Sequence, residues 1–288
     1  MHPRVTINMP EIPKGLPMIH AFAGFVDAGH SIRQTVSHLR STLPHQLVAE
    51  ISVDDIYDYR ARRPIMTFDR DHFSSIDMPQ VKLELFWDDR SKPFLVLHGP
   101  EPDLGWQQVT QCVIELAEHY KVSKTLGLQA IPWPAPHTRD IMVTAHASDP
   151  SLVQARPAIV DRVDVPGSLT NLIEFATGRA GIPALGFAVH IPHYLVNTEY
   201  PTGALTVIDE IGKAAELTLE TGDLSIAAAR VLAEIDESVA SSAENQEVVA
   251  ALEQQYDAET ANWPNQLPSS EELMDQIEQF LADQDPEE

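Results

Sequence analysis

The chain has 288 residues, 43% of them hydrophobic, enough to bury one large α/β core with an appendage. Its 43 Asp and Glu against 19 Lys and Arg give a formal net charge of −24, which excludes nucleic acid and anionic membrane as expected partners, because both reward basic residues. No apolar run approaches the roughly 20 residues that span a bilayer, the N-terminal stretch lacks the apolar core of a secretory signal, and a single cysteine, Cys112, excludes an internal disulfide, so a reducing cytoplasm is the expected location.

Residues 1–17 carry several prolines and read as an extended lead-in. Met18 to Phe25 is an almost unbroken apolar run, the pattern of an inner strand covered on both faces. Gly24 and Gly29 then bracket a turn that carries Asp27, and Ile32, Val36 and Leu39 recur at helical spacing. Asp27 therefore stands at a strand-to-helix turn, where open α/β sheets collect ligands and where an acid also caps the next helix. Leu47 to Val53 reads as a second strand. The loop Asp54 to Pro64 holds Arg60, Arg62 and Arg63 beside Asp54, Asp55 and Asp58, a basic cluster that could bind an anion or pair with its own acids. Pro64 to Phe68 and Val81 to Trp87 look like a strand pair, the second alternating as if one face were wet.

Phe94 to Leu97 is a buried strand ending in the polar turn HGPEPD. Val109, Cys112, Val113, Leu116 and Tyr120 form a helical apolar stripe, which places Cys112 in the core. Thr125 to Ile131 is another inner strand, followed by a proline-rich loop with His137, Arg139 and Asp140, and then by a strand from Ile141 to Ala147. Ser168 begins a short helix, and Ala184 to His190 is the last strand, leading into IPHYLVNTEYPTG. Helices over Ala204 to Leu219, Asp223 to Val239 and Glu247 to Tyr256 follow. Beyond a linker at 261–268, Ser269 and Glu272 match a capping box before an amphipathic stretch. Arg230 is the last basic residue, so the acidity concentrates at the C-terminal end. The alternation predicts a three-layer α/β/α sandwich with a mostly parallel sheet over residues 1–222 and an acidic helical extension over 223–288.

Polar groups follow each inner strand: Asp27; His98, Glu101 and Asp103; His137, Arg139 and Asp140; His190, His193, Tyr194 and Tyr200. Parallel strands put such loops on one edge, where they would converge. Asp27, His98, Glu101, His137, Arg139 and His193 are accordingly the candidates for acid–base chemistry, with Glu101 or Asp27 as base, a histidine as acid and Arg139 holding an anionic group. His98, His190 and His193 could offer imidazoles to a metal, but no cysteine pair stands beside them and none is assigned. The P-loop, nucleophile-elbow and dinucleotide fingerprints are all missing, so no cofactor is expected.

Taken together, GFVDAG at Gly24 to Gly29 resembles the G-W-x-D-A-G turn of the proteasome assembly chaperone 2 family. HGPEPD at His98 to Asp103, PHTRD at Pro136 to Asp140, and HIPHYL with the following YP, His190 to Pro201, match the bacterial branch. The resemblance spans residues 16–212, and the acidic helical end is similar to that of actinobacterial members. It implies a fold similar to nucleoside phosphorylases and related hydrolases, and a tendency to homo-oligomerise. Eukaryotic relatives are non-catalytic chaperones for proteasome α-rings, while some bacterial members carry a loose ligase label. Relatives that plug into the α-ring end in a hydrophobic residue, a tyrosine and one more residue; this chain ends DQDPEE, so docking by that mode is not expected. The expectation is a non-catalytic scaffold or chaperone, homo-oligomeric, with a proteasome-related or other protein partner. The alternative is a small-molecule hydrolase, phosphorylase or ligase-type enzyme using the edge loops.

Overall fold

The computed structural model describes residues 1–153 and 164–261. Its elements in chain order are β1 (Val5–Ile7), β2 (Pro17–Ala23), α1 (Ser31–Thr42), β3 (His45–Ile51), β4 (Ile65–Asp69), β5 (His72–Asp77), β6 (Val81–Trp87), β7 (Pro93–Pro100), α2 (Trp106–His119), β8 (Lys124–Trp133), β9 (Val143–Ala147), α3 (Leu169–Arg179), β10 (Ala184–Pro192), α4 (Pro201–Ala215), α5 (Gly222–Ala240) and α6 (Ala243–Ala261). The amphipathic stretch foreseen after Ser269 lies outside the described residues.

Eight strands form one sheet in the order β1-β3-β6-β7-β2-β8-β10-β9. The four central strands, β7, β2, β8 and β10, run parallel, and the margins on both sides are antiparallel. The parallel centre is the set of apolar runs: β2 and β10 are buried along almost their whole length because helices cover both faces. Period-two alternation sorts each strand between two cores. Ile19 and Ala21 of β2 join Val96, Leu128, Val189, Ile32, Leu39, Val207 and Ile211 under α1 and α4. Met18 and Phe22 face the opposite way, into Leu95, Leu97, Val109, Cys112, Val113, Leu116 and Ile173 under α2 and α3. The result is an α/β/α sandwich, with Cys112 in the core where the apolar stripe put it.

Two local expectations change. The segment starting at Ile65 does not pair with β6. It turns back on β5 as a separate two-stranded hairpin, and β6 instead lies between β3 and β7. The polar face of β6 is wet only at Lys82, which lines a groove. Glu84 on that face is buried, with Oε2 2.8 Å from His98 Nε2 and 3.1 Å from Arg40 Nε of α1. Burial would push the Glu84 carboxyl up, but the His98 hydrogen bond and the charges of His98 and Arg40 outweigh it and hold the carboxyl below its usual range. Desolvation is compensated by pairing.

Two other histidines of the sheet, His20 and His190, are buried away from any charged partner. His20 of β2 is fully buried and its ring nitrogens have no hydrogen-bond partner among the described residues. Desolvation, with a smaller contribution from nearby His146, lowers its pKa to about 3. His190 of β10, stacked at 4.0 Å on Trp133 and 2.8 Å from Thr144 Oγ1, is lowered by desolvation to about 4. Both folded values lie below the unfolded one of about 6.5, so the unfolded chain takes up protons first and stability falls as pH drops below that value. For His190 the loss extends to about pH 4 and amounts to about 3 kcal/mol. His20→Leu is expected to be neutral or stabilising at neutral pH, since an unpaired buried polar ring is replaced by an apolar group. It should also flatten the fall in urea-unfolding free energy between about pH 6.5 and about pH 4. An unchanged pH profile would contradict this assignment.

Candidate functional site

The loops after β2, β7, β8 and β10 leave the same edge of the sheet, as parallel strands require. The side chains they carry divide into two groups. Asp27 and His98 line a groove of about 940 Å³ beside α1, together with Arg33, Arg40, Arg62 and Lys82. Glu101 closes the end of β7 just beneath it, while His137, Arg139 and His193 lie elsewhere.

Asp27 sits where the chain leaves β2. The strand is prolonged by one bridge, in which Ala130 N donates to Val26 O at 2.7 Å. Gly29 then takes a positive φ of 62°, and His30 follows at 52°, a pair of left-handed residues that reverses the chain into α1. Asp27 Oδ1 accepts from the backbone N–H of Ile32 at 2.7 Å and of Arg33 at 3.3 Å, so the carboxylate satisfies the orphan amides of the first turn of α1. Desolvation raises its pKa, and these two backbone hydrogen bonds oppose the rise. The acid is both a helix cap and a groove-lining group.

Glu101 is more completely engaged. Its Oε2 accepts from Phe25 N at 3.1 Å and its Oε1 from Leu169 N at 2.7 Å, the first amide of α3. The β2 turn, the end of β7 and the start of α3 are thereby pinned by one buried carboxylate. Gly24 is needed beside it: a Cβ there would lie 2.6 Å from Glu101 Cβ. Asp103 accepts from Asp58 N at 2.8 Å and pairs with Arg62, which also donates to Glu101 O at 2.6 Å. This part of the basic loop is paired with its acidic neighbours, and Arg62 stacks over Tyr57 as well.

The loop after β8 serves the C-terminal helices. His137 N–H donates to Tyr194 Oη at 2.8 Å, and its ring lies between that oxygen, 2.6 Å from Nδ1, and Asp236 of α5, 3.1 Å from Nε2. Arg139 makes a two-pronged pair with Asp257 of α6, both contacts at 2.9 Å, and reaches Glu253 at 3.0 Å. The Asp257 hydrogen bonds and both acidic charges raise the Arg139 pKa, against weak desolvation. Tyr256 Oη donates to Asp140 O at 2.9 Å. His193 is exposed, with its ring edge-on to that of Tyr194, whereas His190 three residues earlier is buried in the sheet. The two histidines therefore point to different environments. Among the described residues no cluster of three or more His, Cys, Asp and Glu is placed to hold a metal ion, and no helix is long and apolar enough to cross a membrane.

Three groove residues escaped the sequence reading: Arg33 and Arg40 of α1, and Lys82 of β6, which lies opposite His98 in the strand register. The seven-residue spacing of the two arginines is a same-face signal on a helix.

The family model described as PAC2 family matches residues 21–239, and the chain belongs to that family. No curated protein matches the sequence. Among solved structures, a Mycobacterium tuberculosis protein of unknown function is 42% identical, with a TM-score of 0.85 and 90% of each chain covered. A Corynebacterium glutamicum protein of unknown function is 36% identical, with a TM-score of 0.83 over 90% of this chain and 98% of that one. A proteasome-assembly chaperone homologue from Mycobacterium tuberculosis is 24% identical and shares the fold, with a TM-score of 0.74 over 81% of this chain and all of that one.

The Arg139 clamp gives a direct test. Arg139→Ala should increase amide hydrogen exchange across α6 without changing exchange in the β2–β8 core, and high salt should do the same to the wild type. Unchanged protection of α6 in the variant would show that the helix is held by other contacts.

Proposed function

We propose that this protein is a non-catalytic, chaperone-like scaffold that self-associates and engages a protein partner, with proteasome-related subunits the first class to test. The observation that carries this reading is the β4–β5 hairpin. All five residues of β4 and all six of β5 are exposed, and the hairpin pairs with no other strand among the described residues. Its apolar side chains include Ile65 at 74%, Phe68 at 59% and Phe73 at 63% relative exposure, the two phenylalanines in edge contact at 5.2 Å. An isolated two-stranded ribbon is marginal in water, and a clustered aromatic surface favours a covering partner. Membership of the PAC2 family and the shared fold with a proteasome-assembly chaperone homologue support the same reading.

The enzyme alternative would rest on Asp27 and His98, which share the groove. Each already has a structural bond, Asp27 to the α1 amides and His98 to Glu84. Those bonds support a scaffold more readily than acid–base turnover.

Light scattering after size exclusion, together with affinity capture from the protein's own cell extract, tests the proposal. The wild type is expected to run as a defined oligomer and to retain proteasome-related subunits. Phe68→Asp combined with Phe73→Asp should give a folded monomer, because two charges then replace the apolar contact. A wild type that is monomeric and retains no protein partner would overturn the scaffold reading.

A further inference from the structure

In a chain with a net charge of −24, five of the 19 Lys and Arg line one groove: Arg33, Arg40, Arg62, Arg63 and Lys82. Asp27 and Asp77 are the only carboxylates among the described lining residues. The local sign is thus opposite to that of the molecule, and the low-dielectric walls of a groove focus such a field.

The partners of these cations separate the structural charges from the available ones. Arg40 is committed to Glu84, and Arg62 to Asp103 and the Glu101 carbonyl. The side chains of Arg33, Arg63 and Lys82 make no hydrogen bond and no ion pair within 4 Å to any described residue. The N-terminus of α1 is not the anion holder, since Asp27 already accepts from its amides.

The cations are also spread out. Arg33 and Arg40 are seven residues apart on α1, about 10 Å along the helix axis. Lys82 lies across the floor beside His98, and Arg63 lies on the opposite wall next to Pro64 and Ile65 at the base of the hairpin. A single phosphate calls for converging donors, whereas separated ones match an elongated ligand with several negative charges. The rim is apolar: Phe25 is 64% exposed, and Ile65 of the hairpin flanks the opening. A nucleic acid would run beyond the groove onto the acidic remainder of the surface and be repelled there, whereas a short acidic segment stays within the reach of the groove cations.

We propose that this groove binds an extended acidic peptide segment of a partner protein, with apolar side chains between its carboxylates. Arg33, Arg63 and Lys82 would meet the acids, while Phe25 and Ile65 would cover the apolar positions. This rests on the scaffold reading and names the chemistry of its partner.

The test uses the full chain and a fluorescein-labelled peptide, ELDLEFDE, with QLNLQFNQ as a control that keeps the apolar pattern and removes the charge. Fluorescence anisotropy should show binding of the acidic peptide only, weakening between about 0.05 M and about 0.5 M salt. Arg33→Glu and Arg63→Glu should each weaken binding by about tenfold or more, without altering the circular dichroism spectrum. Arg179→Glu, outside the groove, should leave binding unchanged. No binding of the acidic peptide, equal binding of the neutral one, or indifference to both groove variants would overturn the proposal. Displacement of the peptide by inorganic phosphate or citrate at lower concentration would overturn it in favour of a small-anion site. If the peptide fails while self-association and partner capture persist, the groove assignment falls and the scaffold reading stands.

Discussion

The carboxylate of Glu101 holds the functional edge of this sheet together. Its two oxygens accept from amides 144 residues apart in sequence, Phe25 N in the turn after β2 and Leu169 N at the start of α3, while its own backbone N–H donates to Ala23 O at 2.8 Å. Both amides are orphans of chain reversal, and burying either without an acceptor costs free energy comparable to a lost hydrogen bond. One side chain therefore fixes the direction in which two elements leave the edge, and it requires glycine at position 24 so that the turn can approach it.

The same logic extends along the edge. Asp27 satisfies the first turn of α1, Glu84 pairs with His98 and Arg40, and Arg139 fastens α6 through Asp257 and Glu253. Groups with the chemistry of an acid–base site are thus employed in architecture. What they leave free are cations on the groove wall and an apolar hairpin projecting beside them. In the proposed reading both belong to a surface that meets another macromolecule, where complementarity of charge sets specificity and apolar anchors supply affinity.

The parts legible from sequence were those with one dominant physical signal. Burial on both faces makes β2, β8 and β10 continuous apolar runs, the stripe from Val109 to Tyr120 marks α2, and Ser168 marks the start of α3. The illegible parts depend on distant partners. β1 is three residues long and exists only because it pairs with β3. β5 is exposed throughout, so it carries no alternation between buried and wet positions and escapes the period-two rule. Glu84 alternated like a solvent-facing residue, and nothing local announced that Arg40 and His98 would enclose it. Arg139 was legible as an anion holder, but its anions sit 114 and 118 residues further along the chain. Convergence on one sheet edge followed from topology, whereas the division of that edge into a groove and a helix clamp required coordinates.

The central claim is that the edge carboxylates are structural. The most direct measurement is amide hydrogen exchange on Glu101→Ala beside the wild type, read together with urea unfolding. The account predicts loss of protection at the Phe25 and Leu169 amides and a stability lower by about 2–4 kcal/mol, since two charge-accepting hydrogen bonds disappear and two amides lose their acceptors. Protection retained at both amides, with stability within about 0.5 kcal/mol of the wild type, would contradict it and return Glu101 to the list of groups free for chemistry.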